Sequence, residues 1–241
     1  MGKVSRRIGL LLPSSNSTME PELYRIAPGE VTIHTARMML KSVTPKALEA
    51  MARDAVKAAE MLETAEVEIL IYGCTSGSLL KGVEWEAELV EKIKDAAGVP
   101  TISTGKAVVE AIKELDLKRV GVATPYIGEI NDLEKRFLEG YGIEVSTIKG
   151  LGITDNSKIA RVDSETVKRL AKSVSSGADG VFISCTNLPT ITLIEPLEAD
   201  LGVPIVSSNQ ASLWDVLKHL RIGPVNGYGS LLREHLLTTI S

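Results

Sequence analysis

The sequence predicts an α/β protein of two pseudo-symmetric lobes, each a small parallel sheet flanked by helices, with the active site in the inter-lobe cleft. Three observations predict it. Arg7-Ile8-Gly9-Leu10, running on to Pro13, returns as Arg119-Val120-Gly121-Val122 running on to Pro125, an offset of 112 residues between Gly9 and Gly121. Two cysteines close matching apolar runs, Ile69-Leu70-Ile71-Tyr72-Gly73-Cys74-Thr75 and Val181-Phe182-Ile183-Ser184-Cys185-Thr186, at an offset of 111. Gly98-Val99-Pro100-Thr101-Ile102-Ser103 is echoed by Gly202-Val203-Pro204-Ile205-Val206-Ser207 at an offset of 104, so the segment after the second cysteine is the shorter one. Landmarks in one order at nearly one spacing mark a duplication of about 110 residues.

Taken in order, residues 8–13 form a strand-sized apolar run that ends in the polar loop Ser14-Ser15-Asn16. Residues 45–63 carry a helical apolar period behind Pro45, and 67–72 form the next buried strand, ending at Cys74. A helix over 84–97 follows, its charges from Glu84 to Lys94 read as a solvated face, then the strand ending at Ser103 and a helix over 107–115. The second half repeats the series with strands ending near Thr124, Ser184 and Ser207 and helices over 130–141, 163–176 and 211–220. Short Val/Ile-rich runs alternating with longer amphipathic stretches are the pattern of parallel strands joined by crossover helices. We expect residues 1–105 plus 208–241 to form the first lobe, with a returning C-terminal helix, and 106–207 the second.

Composition narrows the function classes. A net charge of -4, from 27 basic and 31 acidic residues spread along the chain, offers no basic stripe for nucleic acid or an anionic membrane. The longest apolar runs fall far short of the roughly 20 residues that a transmembrane helix needs. The basic N-terminus lacks a signal-peptide core and cleavage site, so a cytoplasmic location is expected. Two cysteines outside any metal-ligand spacing are too few for a disulfide scaffold and read as free thiols. His34, His219 and His235 are scattered, Trp85 and Trp214 read as packing residues, and no Walker or dinucleotide glycine loop is present. The expectation is a small-molecule partner with no metal and no cofactor.

In open parallel sheets ligands bind beyond the carboxyl ends of the strands. Four polar loops fall there, around Asn16, Cys74-Thr75-Ser76, Tyr126 and Cys185-Thr186-Asn187. A thiol among backbone N–H groups and hydroxyls is placed to be held as thiolate. Duplicated loops on facing lobes would aim both cysteines at one cleft, where a thiolate and a thiol make a base and an acid. A free cysteine is ordinarily a small buried apolar residue, but two at matching positions in repeated Cys-Thr motifs favour chemistry. Asn16 offers an amide to a carboxylate or a cap to a following helix, Tyr126 a phenol, and Asn156 an amide or a turn.

On these residues the sequence resembles the aspartate/glutamate racemase superfamily, and within it the maleate isomerase and arylmalonate decarboxylase branch. The resemblance covers nearly the whole chain, most specifically at residues 9–20, Gly73-Cys74-Thr75-Ser76-Gly77-Ser78, Ala123-Thr124-Pro125-Tyr126, residues 152–156 and Ser184-Cys185-Thr186-Asn187. It implies a homo-oligomer, a dimer above all, acting on a small dicarboxylate. Decarboxylases of the branch carry glycine in place of the first cysteine; this chain has both cysteines, as cis-trans isomerases and racemases do. The isomerase pattern makes Cys74 the thiolate that adds to maleate and Cys185 the proton donor, with a succinyl-cysteine adduct between maleate and fumarate. Asn16, Thr75, Ser76, Tyr126, Asn156, Thr186 and Asn187 match positions that hold the substrate carboxylates. The alternatives are a two-cysteine amino-acid racemase, an arylmalonate-decarboxylase-like enzyme and a non-catalytic dicarboxylate-binding protein. A racemase would need an acceptor for an ammonium group, and among the quoted loops only Asp155 offers a carboxylate.

Overall fold

In the computed structural model, which describes residues 5–236, the two halves build one sheet each. The first contains β1 (Arg6–Pro13), β2 (Val31–Met38), β3 (Ile69–Tyr72) and β4 (Thr101–Ser103) in the order β2-β1-β3-β4, all parallel. The second contains β5 (Arg119–Thr124), β6 (Glu144–Gly150), β7 (Gly180–Ile183) and β8 (Ile205–Ser207) in the matching order β6-β5-β7-β8. The central strands β3 and β7 are buried along their length, as expected of a parallel sheet covered on both faces.

Helices α1 (Met19–Ile26), α2 (Pro45–Glu63), α3 (Thr75–Ser78), α4 (Val83–Ala97) and α5 (Thr104–Glu114) belong to the first half. The second has α6 (Gly128–Gly140), α7 (Asn156–Ile159), α8 (Ser164–Lys172), α9 (Ile194–Leu201), α10 (Ser208–His219) and α11 (Ser230–Glu234). Local chemistry sets their starts. Thr44 caps α2 ahead of Pro45, Ser103 Oγ accepts from Lys106 N at the head of α5, and Ser207 with Gln210 forms a reciprocal capping box at the head of α10. α10 packs against both α5 and α1, which draws the end of the chain back over the first half. The outermost residues, 1–4 and 237–241, which the sequence expectation includes in the first lobe, lie outside the described part.

The repeat also fixes a packing constraint. At Gly121, the counterpart of Gly9, a Cβ would run into the backbone carbonyl oxygen of Val174, which has no rotamer to yield with. Gly121→Ala is therefore expected to lower stability by about 2–3 kcal/mol through overpacking, read as a lower midpoint in urea with unchanged slope. No helix among the described residues is long and apolar enough to cross a membrane.

Candidate active site

Both cysteines leave their sheets at equivalent points and turn into the seam between the two halves. Cys74 follows β3, and its sulfur accepts from Gly77 N (3.3 Å) and lies 3.7 Å from Ser76 Oγ. Cys185 follows β7, and its sulfur accepts from Asn187 N (3.4 Å). Cys185 holds a φ of 95°, a left-handed conformation that costs a residue with a side chain about 1–3 kcal/mol and persists only where its surroundings over-determine it.

Those surroundings are the bonds that stitch one cysteine loop to the other. Thr186 Oγ1 donates to the carbonyl of Gly73, next to Cys74 (3.2 Å), and accepts from Asn16 Nδ2 (3.0 Å). Ser208 Oγ, at the head of α10, accepts from Thr75 Oγ1 (2.9 Å) and from the Cys185 N–H (3.0 Å), so one hydroxyl touches the loops of both cysteines. Glu22 of α1 grips the chain beyond Cys185: Oε1 accepts from Thr190 N (2.7 Å) and Ile191 N (3.0 Å), and Oε2 from Asn209 Nδ2 (2.7 Å). Asn209 Nδ2 also bonds the Thr186 carbonyl (3.1 Å).

Asn16 fills the capping role that the sequence allowed. Its Oδ1 accepts from Thr18 N and Met19 N, both at 3.0 Å, while its amide nitrogen crosses to Thr186. Asn187 Oδ1 accepts from Ser17 N (3.0 Å) and its Nδ2 donates to Asn156 O (2.7 Å); Asn156 Nδ2 donates in turn to Ser15 Oγ (2.9 Å). Asn16, Asn156, Thr186 and Asn187 are thus buried and tied to the chain of the opposite half, Thr75 and Ser76 are buried beside Cys74, and Tyr126 is buried near Cys185. Asp155, by contrast, uses its carboxylate to cap α7 through Ser157 N (3.0 Å) and Ser157 Oγ (2.8 Å). Over the seam, residues 41–43 zip onto 154–156 through Val43 N to Thr154 O (2.8 Å) and Asn156 N to Lys41 O (3.2 Å). An open depression of about 480 Å³ lined by Ser15, Lys41, Ser42, Thr154, Asp155 and Ser157 lies there.

One sequence expectation needs correction. The N–H and hydroxyl neighbours do lower the thiol pKa values, but burial outweighs them, pushing Cys74 up to about 11 and Cys185 up to about 12. Only 3% of Cys74 and 6% of Cys185 is exposed, so a sulfur anion would lose most of its hydration. The Tyr126 hydroxyl, also buried and without a hydrogen bond of ordinary geometry, lies near enough to Cys185 to favour its thiolate, and burial pushes its own pKa well up.

Glu22, Glu134, Ser184, Ser208 and Asn209 escaped the sequence reading although the signal was there. Glu22 and Glu134 stand 112 residues apart, as Gly9 and Gly121 do, and Ser208 follows the repeated serine that heads α10. For Asn187→Ala, which strands the buried Asn156 carbonyl and removes the acceptor of the part-buried Ser17 N–H, we expect a stability loss of about 1–3 kcal/mol together with a raised KM, checked by urea unfolding beside initial rates.

Residues 8–232 match the sequence profile of the arylmalonate decarboxylase family. The maleate isomerase of Nocardia farcinica is 30% identical over 98% of this chain and 99% of its own. The structure of a cysteine-to-alanine variant of the maleate isomerase from Pseudomonas putida S16 with maleate superposes with a TM-score of 0.92 at 29% identity, covering 96% of this chain and 99% of that one. A cysteine-to-serine mutant of the Nocardia farcinica enzyme with a covalently bound succinylcysteine intermediate superposes at 0.91, with 29% identity over 95% and 98% of the two chains.

Proposed function

This chain belongs to the arylmalonate decarboxylase family and has a cysteine in each half of its site, and from that premise we propose that it converts maleate to fumarate without a cofactor. The observation that carries the reading is the stitching of the two cysteine loops through Ser208 and Thr186, which supports both sulfurs serving one substrate molecule.

The Cys74 thiolate attacks one olefinic carbon of maleate, forming a C–S bond as the π electrons move toward the carboxylate on the other carbon. The Cys185 thiol delivers its proton to that other carbon, giving a succinyl-cysteine. The former double bond is now single and rotates. Cys185 takes a proton back, the C–S bond breaks with its electrons returning to sulfur, and fumarate leaves. Covalent catalysis thereby replaces rotation about a double bond with rotation about a single one.

Asn16, Thr75, Ser76, Tyr126, Asn156, Thr186 and Asn187 hold the two carboxylates with neutral donors, and charge developing during addition is met by fixed N–H and O–H dipoles. The racemase alternative is weakened because Asp155 lines the open depression and caps α7 rather than joining the buried residues at the sulfurs. The same reading takes the chain as a cytoplasmic homodimer, with 1–105 plus 208–241 as one lobe and 106–207 as the other.

Proton NMR of maleate with the purified protein tests the function: olefinic fumarate signal should grow, whereas conversion of an arylmalonate to a monoacid with maleate untouched would transfer the assignment to decarboxylation. The pH dependence is a second check. With Cys74 near 11, its thiolate fraction grows about tenfold per pH unit between 7 and 9, so kcat/KM should climb with pH across that window.

A further inference from the structure

The two reacting sulfurs occupy equivalent places in a duplicated framework, yet the two-thiol reading above, on which this inference rests, needs one to give up its proton and the other to keep it. The duplication itself supplies a candidate for the difference. Glu22 on α1 and Glu134 on α6 are repeat partners at the offset of 112, and both carboxyls are buried, 8% and 1% exposed. Their surroundings have diverged. Glu22 is met by Asn209 and by two backbone N–H groups. The repeat partner of Asn209, at the offset of 104 that relates Ser103 to Ser207, is Gly105, which has no side chain to offer. A void of about 10 Å³ remains there, between Gly105, Thr75, Leu79, Phe137 and Glu134. Glu134 Oε1 accepts from Ser184 Oγ (2.5 Å), and its Oε2 is buried with no partner.

Ser184 immediately precedes Cys185, so the hydrogen bond that this carboxyl makes among the described residues comes from the residue that leads into the strained second cysteine. We propose that Glu134 is the positioning residue that keeps the proton on Cys185 as the solution turns alkaline and Cys74 ionises, and so holds the two sulfurs of a duplicated site to their different tasks there.

The electrostatics agree in sign. Burial with a single hydrogen bond pushes the Glu134 carboxyl up to about 8, so it is neutral near pH 7 and charged above about pH 8. Once charged, it opposes a second anion beside it, and Glu134 is among the groups that raise Cys185, whereas the groups that shift Cys74 are burial, Gly77 and Ser76. The other titratable groups facing Cys185 are Cys74, which also raises it, and Tyr126, whose hydroxyl lowers it. On the α5 side of Glu134 stand Gly105 and Val108, while Lys106 and Glu110 pair with each other (2.8 Å). From β7 it meets Phe182.

Alkylation reads this without any turnover. Cys74→Ala leaves Cys185 as the sole thiol of the chain, and its rate with iodoacetamide is followed by intact mass from pH 7 to 9.5, with and without Glu134→Gln. The glutamine variant should react about tenfold faster at pH 9, equivalent to one pKa unit, with the ratio falling toward one at pH 7. In the Cys185→Ala background, Glu134→Gln should change the rate of Cys74 by less. A ratio near one at pH 9, the same acceleration at every pH, or an equal effect on Cys74 would overturn the proposal. If Glu134→Gln does not fold, Ser184→Ala removes the remaining hydrogen bond to the carboxyl, keeps it neutral to higher pH and should therefore speed the alkylation of Cys185 between pH 8 and 9; an unmoved profile would overturn it equally. Failure to isomerise maleate would instead count against the functional reading, since the alkylation ratios require no substrate.

Discussion

Replacing Cys74 by alanine is expected to lower kcat for maleate by at least about 10⁴-fold, because it removes the atom that makes the covalent bond and leaves only binding and polar stabilisation behind. The protein should stay folded. The sulfur is small, its contacts within α3 are Gly77 N and Ser76 Oγ, and the loop keeps its outside ties through Thr75 to Ser208 and Gly73 to Thr186. Initial rates beside a thermal melt separate the two effects. A variant that melts like the parent and turns over at near-parental rate would remove this sulfur from the chemistry.

Cys185→Ser is the second large effect. Serine keeps the shape, but its hydroxyl is a far weaker acid than a thiol, so proton delivery and removal should slow by about 10²–10⁴-fold. Addition by Cys74 is not removed, so the loss should fall on kcat more than on KM. Stopped-time assays over a range of maleate concentrations separate these parameters, and a selective rise in KM would make Cys185 a binding residue rather than the proton carrier.

Both effects depend on how a buried thiol becomes a nucleophile at neutral pH. Burial holds both sulfurs protonated, and the N–H groups of Gly77 and Asn187 recover only part of that penalty. The proposed cycle therefore starts from the small fraction of protein with Cys74 ionised, which is why the rate should follow pH so steeply.

The duplicated architecture was legible because its landmarks are apolar strands ending in unusual residues. The helix expected over 45–63 has those bounds in α2, and the runs ending at Cys74 and Cys185 are β3 and β7. The edge strands were harder. β2 carries polar residues at alternate positions, as in Thr32-Ile33-His34, and β6 an adjacent polar pair, Ser146-Thr147, and both lack the continuous apolar signal of a strand buried on both faces. The helix expected over 163–176 stops at Lys172, followed by Ser-rich turns through residue 177.

The site was legible where residues sit in the strand-end loops and hidden where helices supply them. Glu22 and Glu134 lie on amphipathic helices, where a glutamate reads as solvent-facing, and only the three-dimensional crossing of α1, α6 and α10 over the cysteine loops brings carboxyls and Ser208 inward. The positive φ of Cys185 left no trace in the sequence either, since left-handed backbone is ordinarily read from glycine or asparagine.

The central claim is that a covalent bond forms between one particular sulfur and the substrate. Cys185→Ser protein mixed with maleate, quenched in acid and digested for peptide mass mapping addresses it directly. The account predicts one added maleic acid on the peptide containing Cys74, absent when Cys74 is also replaced by alanine. An unmodified peptide while fumarate still accumulates, or the same added mass persisting without Cys74, would contradict it.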